Sequence, residues 1–270
     1  MREGDGPTTA EVRSAVERIR AGGRALVAMS GGVDSGLVAS LAREALGAEV
    51  LAVTLVSPAV SRAEIERADA VARSVGVDHR RIPVDPLARP EYRANPPNRC
   101  YFCRRVEADA LLRIGSSFGA RQYLDGIHRD DMADERPGIR AMEEAGFRHP
   151  LFDAGWGKAA VRSLARQRGL PNWDAPSDAC LASRIRHGQP VDRETLVRIE
   201  TAEALVRSAG FRQVRVRVAG SSARIEVDPG AVLRLASPDV AEPIVRSLRN
   251  LGFREVTIDP AGYRSHGAGA

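Results

Sequence analysis

Apolar residues Val12, Val16 and Ile19 recur at spacings of four and three, which predicts an amphipathic helix near the start of the chain. The pattern then closes up. Residues 24–29 form a short, nearly unbroken apolar run, the mark of a strand buried on both faces. Helical spacing returns at Leu37, Val38, Leu41 and Ala45, gives way to a second apolar strand over Val50–Val56, and reappears at Ile65, Ala68, Val71 and Val75. Residues 79–84 read as a third strand, 103–114 as a helix, 122–125 as a further strand and 158–168 as another helix. Strands alternating with helices over short connections predict an α/β fold with a doubly wound parallel sheet.

Beyond residue 190 the rhythm changes. Asp192 can cap a helix with Leu196, Ile199 and Val206 turned inward. Two strands follow, 213–218 and 223–227, separated by Gly220, Ser221 and Ser222. A helix over 240–251 and a last strand at Glu255–Ile258 complete an α-β-β-α-β unit. The expected division is a first domain over 1–188, a smaller α+β domain over 189–264 and a disordered tail over 265–270.

Composition changes this picture only where residues are rare. The chain has 270 residues, 43% hydrophobic and 28% charged, as a soluble globular protein should. Its +5 balance permits anionic partners without choosing among them. Yet Lys158 is the single lysine among 40 basic residues, and there are three cysteines, Cys100, Cys103 and Cys180. The N-terminus lacks the apolar core of a signal peptide, and no apolar run approaches the ~20 residues of a membrane span, so a cytoplasmic protein without membrane attachment is expected. An odd cysteine count with a Cys-x-x-Cys suggests metal, cluster or redox ligands rather than a disulfide framework.

The strand at 24–29 runs into Ser30-Gly31-Gly32-Val33-Asp34-Ser35 and then into a helix. Glycines let backbone approach an anion, and a helix N-terminus directs N–H groups toward it. Ser30 and Ser35 add hydroxyl donors, and Asp34 can hold a magnesium ion that accompanies pyrophosphate. The spacing is neither a Walker loop nor a dinucleotide fingerprint. A turn that merely caps its helix is the plain alternative. The string resembles the PP-loop ATP pyrophosphatases, a resemblance covering roughly residues 20–186. It implies ATP on the loop, cleavage between the α- and β-phosphates, and adenine near residues 53–57 and 125–127.

Cys100-Tyr-Phe-Cys103 at a helix start could pair as a redox dithiol, bind zinc or hold an iron–sulfur cluster. Three thiolates without a fourth leave one coordination position open. The strings 95–104, 125–131, 136–138, 169–174 and 180–184 follow in that order, and with the glycine loop they resemble the LarE family of ATP-dependent sulfur transferases. That family adenylates a carboxylate of pyridinium-3,5-biscarboxylic acid mononucleotide and exchanges oxygen for sulfur in nickel-pincer cofactor biosynthesis. Members with one cysteine sacrifice the residue matching Cys180, whereas members with three hold a 4Fe-4S cluster. The resemblance therefore implies a cluster on Cys100, Cys103 and Cys180, with sulfur supplied by a donor protein or free sulfide.

It also implies Lys158 and Gly126 at the nucleotide, and Arg215 and Arg217 on the substrate phosphate. Arg184, four residues beyond Cys180, is a candidate for steadying an anionic adenylate or substrate. Period two places Arg215 and Arg217 on one strand face, with a solvated face as the alternative. Glu200 and Glu203 are expected in solvent, and Asp125, His128, Asp130 and Asp131 as a loop of capping groups rather than a metal cluster. Ile127-His128 departs from the family's usual Thr-Asn. The smaller domain is expected to supply substrate arginines and homo-oligomer contacts. A tRNA thiolase of the PP-loop and iron–sulfur type is the nearest rival, but with 4% aromatic residues the chain offers no stacking platform for nucleic acid. A non-catalytic module sensing ATP or iron is the rival of another class, and the intact Ser30, Asp34 and Ser35 argue against it.

Overall fold

A computed structural model describes residues 6–133, 137–176 and 179–264, which fall into two compact units. The first comprises residues up to Arg89 together with Asn98–Asp178. Helix α1 (Thr9–Gly22) starts at a capping box in which Thr8 and Glu11 satisfy each other's backbone donors. It leads into β1 (Ala25–Ala28), α2 (Val33–Leu46), β2 (Val50–Val56), α3 (Arg62–Val75) and β3 (Asp78–Pro83). A second capping box, Ser61 with Glu64, opens α3, and left-handed Gly76 ends it.

The four-stranded sheet runs β3-β2-β1-β4, with β4 (Gln122–Leu124) on the far side of β1. All neighbours are parallel: Ala25 faces Val50 on one side and Gln122 on the other. Chain order therefore reverses between β1 and β4, and the loops leaving their carboxyl ends open a crevice of the kind where doubly wound sheets bind ligands. One face is covered by α1, α2 and the helix at 158–167, whose Leu37, Leu41, Val161 and Leu164 join a buried cluster with Val27 and Ala52. The other is covered by the helix at 99–118 and its neighbour, through Leu111, Met142 and Phe147 against Leu26, Leu51 and Val53. The parallel, doubly wound expectation holds.

The second unit comprises Pro90–Pro97 and the chain from Ala179 onward. It contains α4 (Pro90–Arg93); the first unit contains α5 (Arg99–Phe118), α6 (Pro137–Glu144), α7 (Pro150–Asp153) and α8 (Lys158–Gln167). Helix α9 (Arg193–Ser208) begins at Asp192, whose carboxylate accepts from Thr195 N at 2.7 Å. Strands β5 (Val214–Ala219) and β6 (Ser222–Val227) form a hairpin around Gly220 and Ser221, with Gly220 at φ +61. Helices α10 (Val232–Ala236) and α11 (Pro238–Asn250) then cross over to β7 (Glu255–Ile258), which pairs parallel with β6.

The division falls at 178/179, about ten residues before the expected 188/189. Residues 179–188 go with the second sheet because Ile185 bridges Val218 and Arg186 N donates to Val218 O. Residues 90–97 join them because buried Asn95, at φ +54, donates its amide to Arg186 O and Gln189 O, both at 2.9 Å. The tail expected over 265–270, and Arg136 of the 136–138 string, lie outside the described residues. Among the described residues no helix is long and apolar enough to cross a membrane.

Candidate functional site

The end of β1 is pinned before the glycine loop begins. Met29 N donates to Val53 O at 2.9 Å, and the buried Thr54 hydroxyl donates to Met29 O at 2.6 Å. Gly31 follows at φ +83, where a Cβ would stand 2.3 Å from Glu64 O; no other residue fits. Gly32 caps α2 without any side-chain hydrogen bond, so the first-turn N–H groups of a 14-residue helix remain directed at the crevice. Ser30 and Ser35 bond through their hydroxyls at 3.2 Å, and Ser30 N donates to Ser35 Oγ at 3.1 Å, which closes the loop on itself.

Gly126, just past β4, backs directly onto this turn. A Cβ there would lie 2.6 Å from Ser35 N and 3.0 Å from Asp34 Cβ. Lys158, the first residue of α8, reaches across to Asp34 with Nζ–O distances of 2.8 and 2.6 Å. Its own N–H donates to Asp130 at 2.7 Å, and that bond chiefly holds the Asp130 carboxyl below its usual value. His128 Nε2 stands 3.8 Å from Asp34 and 3.4 Å from Asp131. The seven residues expected at the nucleotide thus converge, with Asp34 and Lys158 facing each other. The capping reading of the aspartates also fits: Asp125 accepts from Ile127 N, Asp130 from Lys158 N, and Asp131 from His128 N.

Two residues here escaped sequence reasoning. Asn172 is buried and donates to Gly31 O at 2.9 Å, steadying the glycine in its left-handed conformation. It sits inside a quoted string, but its position next to Trp173 carried no signal of its own. His149 Nδ1 pairs with Asp125 Oδ1 at 2.7 Å, both buried. Burial pulls the imidazole down, but the bond to Asp125 and its charge outweigh that and leave His149 above its ordinary value.

Cys100 and Cys103 lie one turn apart at the start of α5, Cys100 exposed and Cys103 half-buried, neither in a disulfide. Cys103 Sγ donates to Glu107 at 3.3 Å. Gly138 of α6 lies beside this turn, where a Cβ would make ordinary contact with Cys100 Cβ at 3.5 Å. Among the described residues no group of three or more His, Cys, Asp or Glu side chains gathers as a metal site.

Within the second unit, Cys180 precedes a turn at Leu181–Arg184. Arg184 is buried and lies along Glu203, with its Nε 2.7 Å from Oε1. Its guanidinium is committed to the protein interior, where the sequence suggested a ligand contact. Glu203, expected in solvent, is completely buried because Arg184, Arg207 and Val216 N surround it with donors. Arg215 is buried with its guanidinium 5.2 Å from the Tyr263 ring centroid, whereas Arg217 is partly open and pairs with Glu226 at 3.1 Å. The arginine face of β5 is therefore a paired and largely buried face rather than a solvated one.

The chain matches the NAD synthase family over residues 8–99, which covers α1 to α4 and the glycine loop. It is 41% identical to an uncharacterized protein of Synechocystis sp. over 90% of either chain. It is also 34% identical to the pyridinium-3,5-bisthiocarboxylic acid mononucleotide synthase of Lactiplantibacillus plantarum, covering 90% of this chain and 87% of that one. This chain belongs to the LarE family. A further relative, an uncharacterized protein of Methanocaldococcus jannaschii, is 27% identical over 89% of this chain. LarE membership accounts for the PP-loop fold and the glycine loop at its switch point. Beside Ile127-His128, Gly126 meets the first turn of α2 through its backbone.

Proposed function

We propose that this chain adenylates a carboxylate of pyridinium-3,5-biscarboxylic acid mononucleotide at the expense of ATP and replaces oxygen with sulfur to give thiocarboxylates. The observation that carries this reading is the uncapped N-terminus of α2, bordered by Lys158 and Asp34, in a chain so similar to a synthase of the bisthiocarboxylic product. On ATP binding Lys158 exchanges Asp34 for phosphate, and Asp34 becomes free to hold magnesium. Ser30 and Ser35 offer hydroxyls, and the first-turn amides of α2 receive the developing charge on pyrophosphate. Arg217, the more open of the two β5 arginines, meets the mononucleotide phosphate in exchange for Glu226, with Arg215 behind it.

Cys100, Cys103 and Cys180 are the proposed ligands of a 4Fe-4S cluster. Soft thiolates suit iron, and the Cys100–Cys103 pair one turn apart on α5 fits such a donor set. When bound, the cluster supplies an iron position at which sulfur can be exchanged. A donor protein or free sulfide would replenish it, and a homo-oligomer is the proposed working form.

Anaerobic purification tests the assignment. A brown, iron-containing protein that loses its colour in Cys100→Ala and releases pyrophosphate with the pyridinium substrate is the expected result. A colourless protein whose mass falls at Cys180 after turnover would overturn the cluster in favour of sacrificial sulfur. Pyrophosphate release on tRNA, and none on the pyridinium mononucleotide, would overturn the function.

A further inference from the structure

The backbone that carries Cys180 is held from outside by two guanidiniums. Cys180 O accepts from Ser183 N at 2.9 Å, which closes the turn, and from Arg184 Nη1 at 3.0 Å. The same nitrogen donates to Ala179 O and to Ser183 Oγ. Arg217 Nη1 donates to Ser183 O at 2.9 Å. Carbonyls on both sides of the thiol-bearing residue are thereby fixed.

Arg184 does not set its own position. Its fork lies on Glu203, Nε to Oε1 at 2.7 Å and Nη2 to Oε2 at 3.1 Å, with both side chains out of water. Glu203 is fixed in turn by Val216 N on β5 at 3.1 Å and by Arg207 on α9 at 2.9 Å. A buried carboxylate needs such a complement of donors to remain charged, and the planar guanidinium passes its orientation on to the carbonyls beyond.

We propose that Glu203 is a positioning residue for Cys180, fixing through Arg184 the backbone from which the thiol projects. This rests on the functional reading above only in giving Cys180 a chemical role. Glu203 itself meets neither substrate nor sulfur.

Glu203→Gln keeps the shape and removes the charge. In the folded, full-length protein stripped of iron by a chelator, alkylation by iodoacetamide, read from peptide masses, should be about tenfold faster at Cys180 in the variant than in the unsubstituted chain, the rate equivalent of one charge-assisted hydrogen bond. Rates at Cys100 and Cys103 in the same molecules should not change. In the sulfur-transfer assay kcat should fall while KM for ATP stays constant. Should the Gln variant fail to fold, the double variant Arg184→Met/Glu203→Met removes both charges together, which buried pairs often tolerate, and the same selective quickening is expected. A Cys180 rate equal to or below that of the native protein in a folded variant overturns the proposal. Selective quickening in the variant, when the native protein itself transfers no sulfur, would leave the positioning role intact and overturn the functional reading instead.

Discussion

At the scale of single residues, the retained lysine and one overlooked histidine carry the clearest expectations. Lys158 presents a compact charge to Asp34 in a half-enclosed crevice where a guanidinium fork would have to spread. Lys158→Ala should slow ATP-dependent pyrophosphate release by about a hundredfold to a thousandfold, as loss of a preorganised charge does. Lys158→Arg should restore little of it. His149 offers a pH test. Its folded-state pKa is raised above the ordinary 6.5 by Asp125, so protonated His149 is favoured by folding. The stability this adds is fully present below pH 6.5 and is lost as pH rises through the folded value. Thermal melts of the native protein and His149→Asn should therefore differ most on the acid side, and the gap should narrow toward alkaline pH.

At the scale of elements, the carboxyl ends of β1 and β4 decide where chemistry can occur. Parallel pairing to both sides of β1 makes this the point where the chain reverses its order, and the glycine loop and Gly126 lie one on each side of it. Gly126 touches the first turn of α2 so closely that Gly126→Ala must push the β4 loop away. Overpacking of that kind costs about 1–3 kcal/mol, and here it should also weaken ATP binding measured by calorimetry. Gly230→Ala, with open space around its Cβ, should change neither.

At the scale of the whole molecule, the second unit gathers two distant stretches of chain, and Asn95 is the clasp. Its buried amide serves two carbonyls ninety residues away in sequence, and its left-handed backbone suits asparagine among the non-glycine residues. Asn95→Ala should leave those carbonyls unsatisfied and destabilise the unit by about 1–3 kcal/mol, visible as faster hydrogen exchange over residues 179–191.

By itself the sequence determined what neighbouring residues settle among themselves. The helices from α1 to α3, the strands β1 to β4, the β5–β6 hairpin, the Asp192 cap and the glycine loop were all legible, because apolar period, capping and turn chemistry act within a few positions. Only the tertiary structure decided which charges meet. Asp34 and Lys158 are 124 positions apart, and nothing local says that each is the other's partner. With 39 arginines available, no spacing could show that Arg184 is neutralised by Glu203, or that an acidic residue on a charged helix would lie out of water. A buried charge persists only where donors from several elements converge, and that convergence belongs to the fold.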